Sequence, residues 1–415
     1  MSKNDYRTKG EGTRSKVSNR NLWHGKVRIG KGKRVSVYAK NRNELKSKMN
    51  EALKRANLKA KTTKKETMYE YLKDWYPKGS TKRGALHQKT IDSRLTNINR
   101  MNQYIGHLKL SELAGEDIED MYEDLKHDVS QWGRPLSGHS LRQVHTTLSK
   151  ALNDAKTKNL ILFSPMLNVV NKPTAQAVNI EPLTEDEVKK LLSVPPEQTT
   201  SRNAKTSKGK TSFNTSGDWS PLWRLLVETG LRRGEALGLT WKNLVIDGDS
   251  PYVKVVQTLV TTIKSDKAPN GLLLNSPKTE MSKRTLEINP SKHPELIQAL
   301  KNHRAKQNER KLSLGTHWND NNLVFPNSSG ELIHPSVVFR AFKRTVKESG
   351  IDRNVRIHDL RHTCGTIMHQ NGVDVKQIQE TLGHETVQIT YDLYITGNRK
   401  MVTEAMGTVA QAINS

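Results

Sequence analysis

Thr229-Gly230-Leu231-Arg232-Arg233-Gly234-Glu235-Ala236-Leu237, followed after one glycine by Leu239-Thr240-Trp241, is the first of three stretches that decide the reading of this chain. The second is Ile357-His358-Asp359-Leu360-Arg361-His362-Thr363, and the third is Leu382-Gly383-His384, with Tyr394 ten residues beyond the histidine. Each stretch alone is weak, because an arginine in a helix or a His-x-x-Arg pair occurs by chance in many proteins. His358 and Arg361 stand at i, i+3 on a helix whose apolar stripe is Leu360, Cys364, Ile367 and Met368, so in isolation they read equally well as ordinary edge residues. Three such stretches in order within one domain-sized span make coincidence a poor account.

Working outward, the chain has 415 residues and a net charge of +26. That length suggests two or three domains. Self-repulsion from so much positive charge costs stability unless an anionic partner offsets it, and nucleic acid is the first candidate. Hydrophobic residues make up 34% and aromatic residues 5% of the chain, and no apolar run is long enough to span a bilayer. The opening MSKNDYRTKGEGTRSKVSNR is polar and basic, without the apolar core of a secretion signal, which leads us to expect a cytoplasmic protein. Cys364 is the single cysteine, so an internal disulfide and a cysteine-based metal cage are excluded, and a buried inert thiol is expected.

The charge is concentrated at the N-terminus, where residues 1–65 hold 21 Lys/Arg against 4 Asp/Glu. Within this basic arm, Trp23 to Ile29 and Arg34 to Ala39 read as two strands around Gly30-Lys31-Gly32-Lys33, with Val35, Val37 and Ala39 alternating onto one face. Leu45, Met49 and Leu53 repeat at i, i+4, i+8 and predict a helix covering that sheet. Helical segments follow near 67–76, 88–104, 115–127 and 137–158. The Pro-punctuated stretch from Phe163 to Pro182 reads as a linker. Thr184, with Glu187 three residues on, predicts a capping box at the start of a helix that ends by Pro195. Residues 196–218 are rich in Thr, Ser, Lys, Asn and Gly and read as a mobile loop. Gly209-Lys210-Thr211 inside it looks like part of a phosphate-binding loop, but Ala204 stands where the first glycine is required and no strand precedes it, so no ATP site is expected.

The three stretches resemble the boxes of the tyrosine recombinases, the integrases of phages and mobile elements, whose first box has the form TGLRxGE, whose second is HxLRH, and whose third pairs LGH with a downstream tyrosine. The resemblance is strong over residues 180–400, and the succession of basic arm, helical unit and catalytic domain is similar to the longer integrases. It implies a mainly α fold with small β-sheets (α+β): a basic N-terminal sheet-and-helix domain at 1–65, a helical core-binding domain at 66–172 and a catalytic domain at 173–415, with a hairpin sheet near 252–288. It further implies that Arg232 and Arg361 clamp the phosphate, that His358 and His384 assist them, and that Glu235 orients Arg232. Lys278 matches the lysine of the hairpin turn, although Lys254, Lys264, Lys267 and Lys283 lie in the same region. His362 and His369 read as structural or DNA-contacting residues. Tyr394 is the nucleophile in preference to Tyr391, because the family places its tyrosine nine or ten residues after this histidine and Thr390 precedes Tyr394 by four.

The chemistry asks for the same residue types. A phosphodiester under attack develops negative charge on its non-bridging oxygens, which two arginine forks can hold in a bidentate geometry that lysine cannot reproduce. A tyrosine phenol, with an ordinary pKa of about 10, needs such a cationic setting to act as a nucleophile near neutrality. A covalent tyrosyl phosphate preserves the energy of the broken bond, so neither a cofactor nor a metal ion is expected. The implied function is site-specific recombination through a 3′-phosphotyrosine, integrating and excising a mobile element. The implied partners are double-stranded DNA at core and arm-type sites, three further copies of the chain in a tetramer on DNA, and accessory DNA-bending or excision-directing proteins. A type IB topoisomerase and a DNA-binding regulator on the same fold are the rival readings. Val402, Ala405, Met406, Val409 and Ile413 form an apolar stripe after the nucleophile, which the family leads us to expect against a neighbouring protomer, its own domain being the alternative.

Overall fold

The computed structural model describes residues 13–17, 22–29, 33–50, 66–78, 88–127, 129, 135–174, 181–196, 217–266, 268–277 and 280–394. The chain divides into two compact units, Met1–Val178 and Asn179–Ser415. The loop read over 196–218, the Gly209-Lys210-Thr211 tripeptide, Leu53 and the C-terminal stripe from Val402 to Ile413 fall wholly or almost wholly outside the described residues.

The first unit begins with an antiparallel sheet of β1 (Thr13–Val17), β2 (Leu22–Ile29) and β3 (Lys33–Ala39) in that order. Trp23 pairs with Ala39 and Gly25 with Val37. Helix α1, over 42–50, lays Leu45 and Met49 against Ala39, with Trp23 and Val37 packed at the margin. Gly25 is required by this packing, because a Cβ there would stand 2.5 Å from the Met49 sulfur. The strands and helix read from the sequence are present. Strand β1 is an addition: Thr-Arg-Ser-Lys-Val carries a single apolar residue and so shows no alternation to read.

Four amphipathic helices follow: α2 (Met68–Lys78), α3 (Gln88–Ile105), α4 (Gly115–His127) and α5 (Gly138–Thr157). Met68, Leu72, Trp75, Ile98, Met101, Ile118, Met121 and Leu148 meet in one core. Burial of such side chains stabilises by roughly 1.5–3 kcal/mol each before chain entropy is subtracted. The polar ends of the core aromatics are satisfied, Trp75 Nε1 donating to Asp154 at 2.9 Å and the Tyr71 hydroxyl to the Ala151 carbonyl at 2.6 Å.

The second unit opens with α6 (Glu185–Ser193), started by the capping box of Thr184 and Glu187. It continues through α7 (Ser220–Thr229) and the short α8 (Arg233–Leu237). Strands β4 (Leu244–Val245), β5 (Tyr252–Val255) and β8 (Arg284–Glu287) form one antiparallel sheet, and β6 (Thr258–Thr261) with β7 (Leu272–Asn275) forms a hairpin between them. Helices α9 (Pro294–Leu314), α10 (Pro335–Glu348), α11 (Ile357–Gln370), α12 (Val375–Leu382) and α13 (Val387–Tyr394) complete it. Trp223 and Phe342 pack edge to face at 5.0 Å in the core, which also takes Leu360. Helix α11 is buried well beyond its apolar stripe: Asp359, Arg361, His362, Thr363 and His369 are buried too, so Arg361 is an interior group, whereas His358 stands exposed at the helix start. Thr363 ties the entering chain to it, its hydroxyl accepting from Leu183 N at 2.9 Å and donating to the Asp359 carbonyl at 2.8 Å.

Candidate active site

Helix α7 stops at Gly230, whose left-handed φ of 64° lets the chain turn sharply into Leu231 and Arg232. The position admits no side chain, since a Cβ would lie 2.3 Å from Leu382 Cδ2. Arg232 caps α8, and Glu235 reaches back to it: one carboxylate oxygen accepts from the Arg232 backbone N–H at 2.9 Å and the other from Arg232 Nη1 at 2.8 Å. Gly234 lets α8 lie against β6, because a Cβ there would meet Thr258 Oγ1 at 2.6 Å and the Leu259 carbonyl at 2.7 Å. The spacing of the first box is thus the geometry of a tight helix-turn-helix corner that aims one arginine.

From α11, Arg361 is 2% exposed and donates from Nη1 to the Gly230 carbonyl at 2.7 Å and from Nη2 to the Leu382 carbonyl at 2.5 Å. Arg356 and Asp359 form the capping pair that starts this helix. Helix α12 ends at Gly383, φ 65°, whose carbonyl accepts from Arg232 Nη2 at 2.8 Å. His384 follows, buried, with Nδ1 3.0 Å from the Thr390 hydroxyl and its carbonyl held by Gln379 Nε2 at 3.1 Å.

The result is a cleft of about 420 Å³ lined by Arg232, Glu235, His358, Arg361 and His384, together with Thr258, Pro277, Ser282, His362, Gly383, Glu385 and Ile389. Five of the seven residues singled out in the sequence therefore meet at one place. Lys278 lies outside the described residues, although Pro277, immediately before it, borders the cleft. Lys267 also lies outside them, and Lys254, Lys264 and Lys283 are exposed and line no part of the cleft. Tyr394 is the last residue of α13; its side chain lies outside what is described. Tyr391 is 44% exposed. His369 is buried and does not line the cleft, whereas His362 does, its ring 4.8 Å from that of His358.

The cleft is cationic, and its histidines respond. Burial, then the charges of Arg361 and Arg232, lowers His384 to about 3. His358 is also lowered, by the crowding of protein atoms around it and then by His362, Arg361 and Arg232. His358 is an exposed residue, and water there tempers the effect. Both imidazoles are neutral near pH 7 and can donate or accept a hydrogen bond there. Burial alone would raise the Glu235 carboxyl, but Arg284 and then Arg232 outweigh it and hold the group below the ordinary carboxylate range. Burial pushes Cys364 up to about 12, which makes it an inert thiol.

Arg284 and Gln379 belong to this site and escaped the sequence reading, and Thr390 entered that reading only for its distance from Tyr394. Arg284 shares a face of β8 with Leu286, but among 68 basic residues that register alone names none of its partners, and the Thr390 hydroxyl is drawn to His384 only by the fold. Among the described residues no helix is long and apolar enough to cross a membrane.

Residues 181–401 match the model of the phage integrase family. The chain is 33% identical to a XerC-like tyrosine recombinase of Caldanaerobacter subterraneus subsp. tengcongensis over 45% of its own length and 48% of that protein, about half of each. It is 24% identical to an integrase of Streptomyces ambofaciens over 97% of its length and 96% of the relative's. The fold is similar to that of the Tn1549 transposon integrase in complex with transposon right-end DNA, with a TM-score of 0.60 at 19% identity over 82% of this chain and 98% of that one. It is similar also to lambda integrase as a tetramer bound to a Holliday junction, with a TM-score of 0.50 at 18% identity over 95% of this chain and 98% of that one. With its boxes gathered at one cleft and more than half of its length matched, the chain belongs to the phage integrase family of tyrosine recombinases.

Proposed function

We propose that the chain is a site-specific DNA recombinase that integrates and excises a mobile element, cutting and rejoining strands through a 3′-phosphotyrosine. The observation that carries this reading is the meeting of Arg232, His358, Arg361 and His384, drawn from three distant segments, in one cationic cleft next to the helix that ends in Tyr394. Arg232 and Arg361 hold the non-bridging oxygens of the scissile phosphate, and Glu235 keeps Arg232 in place. The backbone carbonyls that grip both guanidinium groups fix their planes before DNA arrives, so little reorganisation is needed in the transition state. Neutral His358 and His384 hydrogen-bond the phosphate and move protons near pH 7.

The Tyr394 hydroxyl gives its proton to a histidine of the cleft as its oxygen attacks phosphorus, forming the tyrosyl phosphate as the bond to the 5′ oxygen breaks. Lys278 protonates that departing oxygen. The 5′ hydroxyl of the partner strand then gives its proton to Lys278 as it attacks the same phosphorus, and releases the tyrosine, which regains its proton from the histidine. Two transesterifications conserve the number of phosphodiester bonds, so the reaction needs no external energy.

In this reading the chain has three parts, an arm-binding domain at 1–65, a core-binding domain at 66–172 and a catalytic domain at 173–415. The face of the N-terminal sheet opposite α1 carries exposed Lys26 and Tyr38, suited to a phosphate backbone and base edges. Four copies act together on two DNA sites, as lambda integrase does on its junction, in the cytoplasm at the nucleoid of a bacterial host, with accessory DNA-bending or direction-setting proteins. Incubation with a suicide core-site duplex should trap a covalent protein–DNA adduct, and two complete sites should yield exchanged strands. An adduct that relaxes supercoils but never exchanges partners would replace recombinase by topoisomerase, and no adduct at all would leave a DNA-binding protein.

A further inference from the structure

Three consecutive backbone carbonyls at the end of α12 are each taken by a different arginine. Arg284 Nε donates to the Thr381 carbonyl at 2.7 Å, Arg361 Nη2 to Leu382 at 2.5 Å and Arg232 Nη2 to Gly383 at 2.8 Å. A helix C-terminus leaves its last carbonyls without intrahelical partners and concentrates partial negative charge there, so cations suit it. Two of these arginines are the phosphate ligands proposed above. The third is not: Arg284 stands on β8, its side chain is 7% exposed, and it does not line the cleft.

Its remaining contacts run to the rest of the site. Nη2 donates to Glu235 Oε2 at 3.0 Å, on the carboxylate whose other oxygen holds Arg232, and Nη1 donates to the Ser282 carbonyl at 3.2 Å. The guanidinium also lies against the turn before His384, because a Cβ at Gly383 would stand 3.1 Å from Arg284 Nη1 and 3.1 Å from the Met281 carbonyl. One buried fork therefore joins β8, the acidic residue behind Arg232, and the turn that leads into α13.

We propose that Arg284 is a positioning residue for strand cleavage, an inference that rests on the reading of Arg232 and Arg361 as phosphate ligands. Arg284 acts through Glu235 on the aim of Arg232, and through Thr381 on the turn that carries His384 and precedes the nucleophile's helix. A lysine would supply the charge as a single point and could not serve Thr381, Ser282 and Glu235 at once in planar geometry.

The test uses the full chain with Arg284→Met and Arg284→Lys, measuring the dissociation constant for a core-site duplex and the single-turnover rate of adduct formation on a suicide substrate. Affinity should stay within about 2-fold of wild type while cleavage falls about 100-fold in Arg284→Met, the scale of an ångström's misplacement. Arg284→Lys should recover part of that loss. Adding Glu235→Gln to Arg284→Met should cost little more, because coupled residues are not additive. Cleavage at the wild-type rate in either variant, a parallel loss of affinity and cleavage, or full additivity with Glu235→Gln would overturn the proposal. If Arg284→Met does not fold, Arg284→Lys decides it by the same comparison of affinity with rate. Absence of any adduct from the wild-type chain would instead overturn the reading of the site itself.

Discussion

Replacing Glu235 by glutamine keeps the shape of the side chain and removes its charge, which isolates what the carboxylate does. The group is 3% exposed and accepts Arg232 Nη1 on one oxygen, and the Arg232 backbone N–H and Arg284 Nη2 on the other. A carboxamide must turn its NH2 toward one of these two sets, so at least one N–H donor faces another. The Arg284 side carries most of the energy, since that guanidinium is 7% exposed, whereas the Arg232 side chain is 35% exposed and its pair is screened by solvent. Removing one partner of a buried pair costs roughly 3–5 kcal/mol, and discounting the screened half leaves an expected loss of about 2–4 kcal/mol. Cleavage should fall about 100-fold as Arg232 loses the bond that aims it. Urea titration read by amide hydrogen exchange in α7 and α11 reports the stability of the second unit alone, and single-turnover cleavage reports the rate. A loss below about 1 kcal/mol with an unchanged cleavage rate would show that the carboxylate does not hold Arg232 and Arg284 in this way, because hydrogen bonds to buried charged groups are worth more than that.

Gly230→Ala should destabilise the second unit by about 2–5 kcal/mol, combining the left-handed backbone with overpacking against Leu382 Cδ2 at 2.3 Å and Cys364 Sγ at 3.2 Å; thermal unfolding of the variant checks this, and a loss under about 1 kcal/mol would contradict it. His384 binds a proton below its ordinary 6.5 in the unfolded chain but resists until about 3 when folded, so its contribution is full above pH 6.5 and is lost as pH falls toward 3. Stability curves of the DNA-free wild type and His384→Gln should diverge across that window, and parallel curves would show that the imidazole is not held neutral.

The parts of this fold that were legible in the sequence are those whose physics is local. The capping box at Thr184 and the periodic helices of the first unit declare themselves within a few residues, and the two glycines of the first box mark a corner where neighbouring atoms leave no room for a Cβ. The boxes could be quoted in order because Arg232 and His384 sit beside the turns at Gly230 and Gly383, whereas Arg361 is aimed by carbonyls from those distant turns. Contacts made across the chain were not legible. Arg284 lies 49 residues from Glu235 and 97 from Thr381; it shares the inward register of β8 with Leu286, but the carboxylate and carbonyl that take its guanidinium come from distant segments that the strand does not reveal. Thr390 was noticed for its distance from Tyr394, while its hydroxyl bond to His384 depends on how α13 packs back over the turn. His362 read as a structural or DNA-contacting residue, and its five-residue motif says nothing about rings meeting at 4.8 Å beside the cleft.

Mapping the covalent bond shows whether this cleft cuts DNA through Tyr394. The wild-type chain should be trapped on a suicide core-site duplex, digested, and the phosphorylated peptide sequenced by mass spectrometry, with Tyr391→Phe and Tyr394→Phe run beside it. A 3′-phosphate on Tyr394 is expected, with an adduct retained in Tyr391→Phe and none in Tyr394→Phe despite unchanged DNA binding, since that substitution removes only the attacking oxygen. A phosphotyrosine at Tyr391, or an adduct formed by Tyr394→Phe, would contradict that expectation.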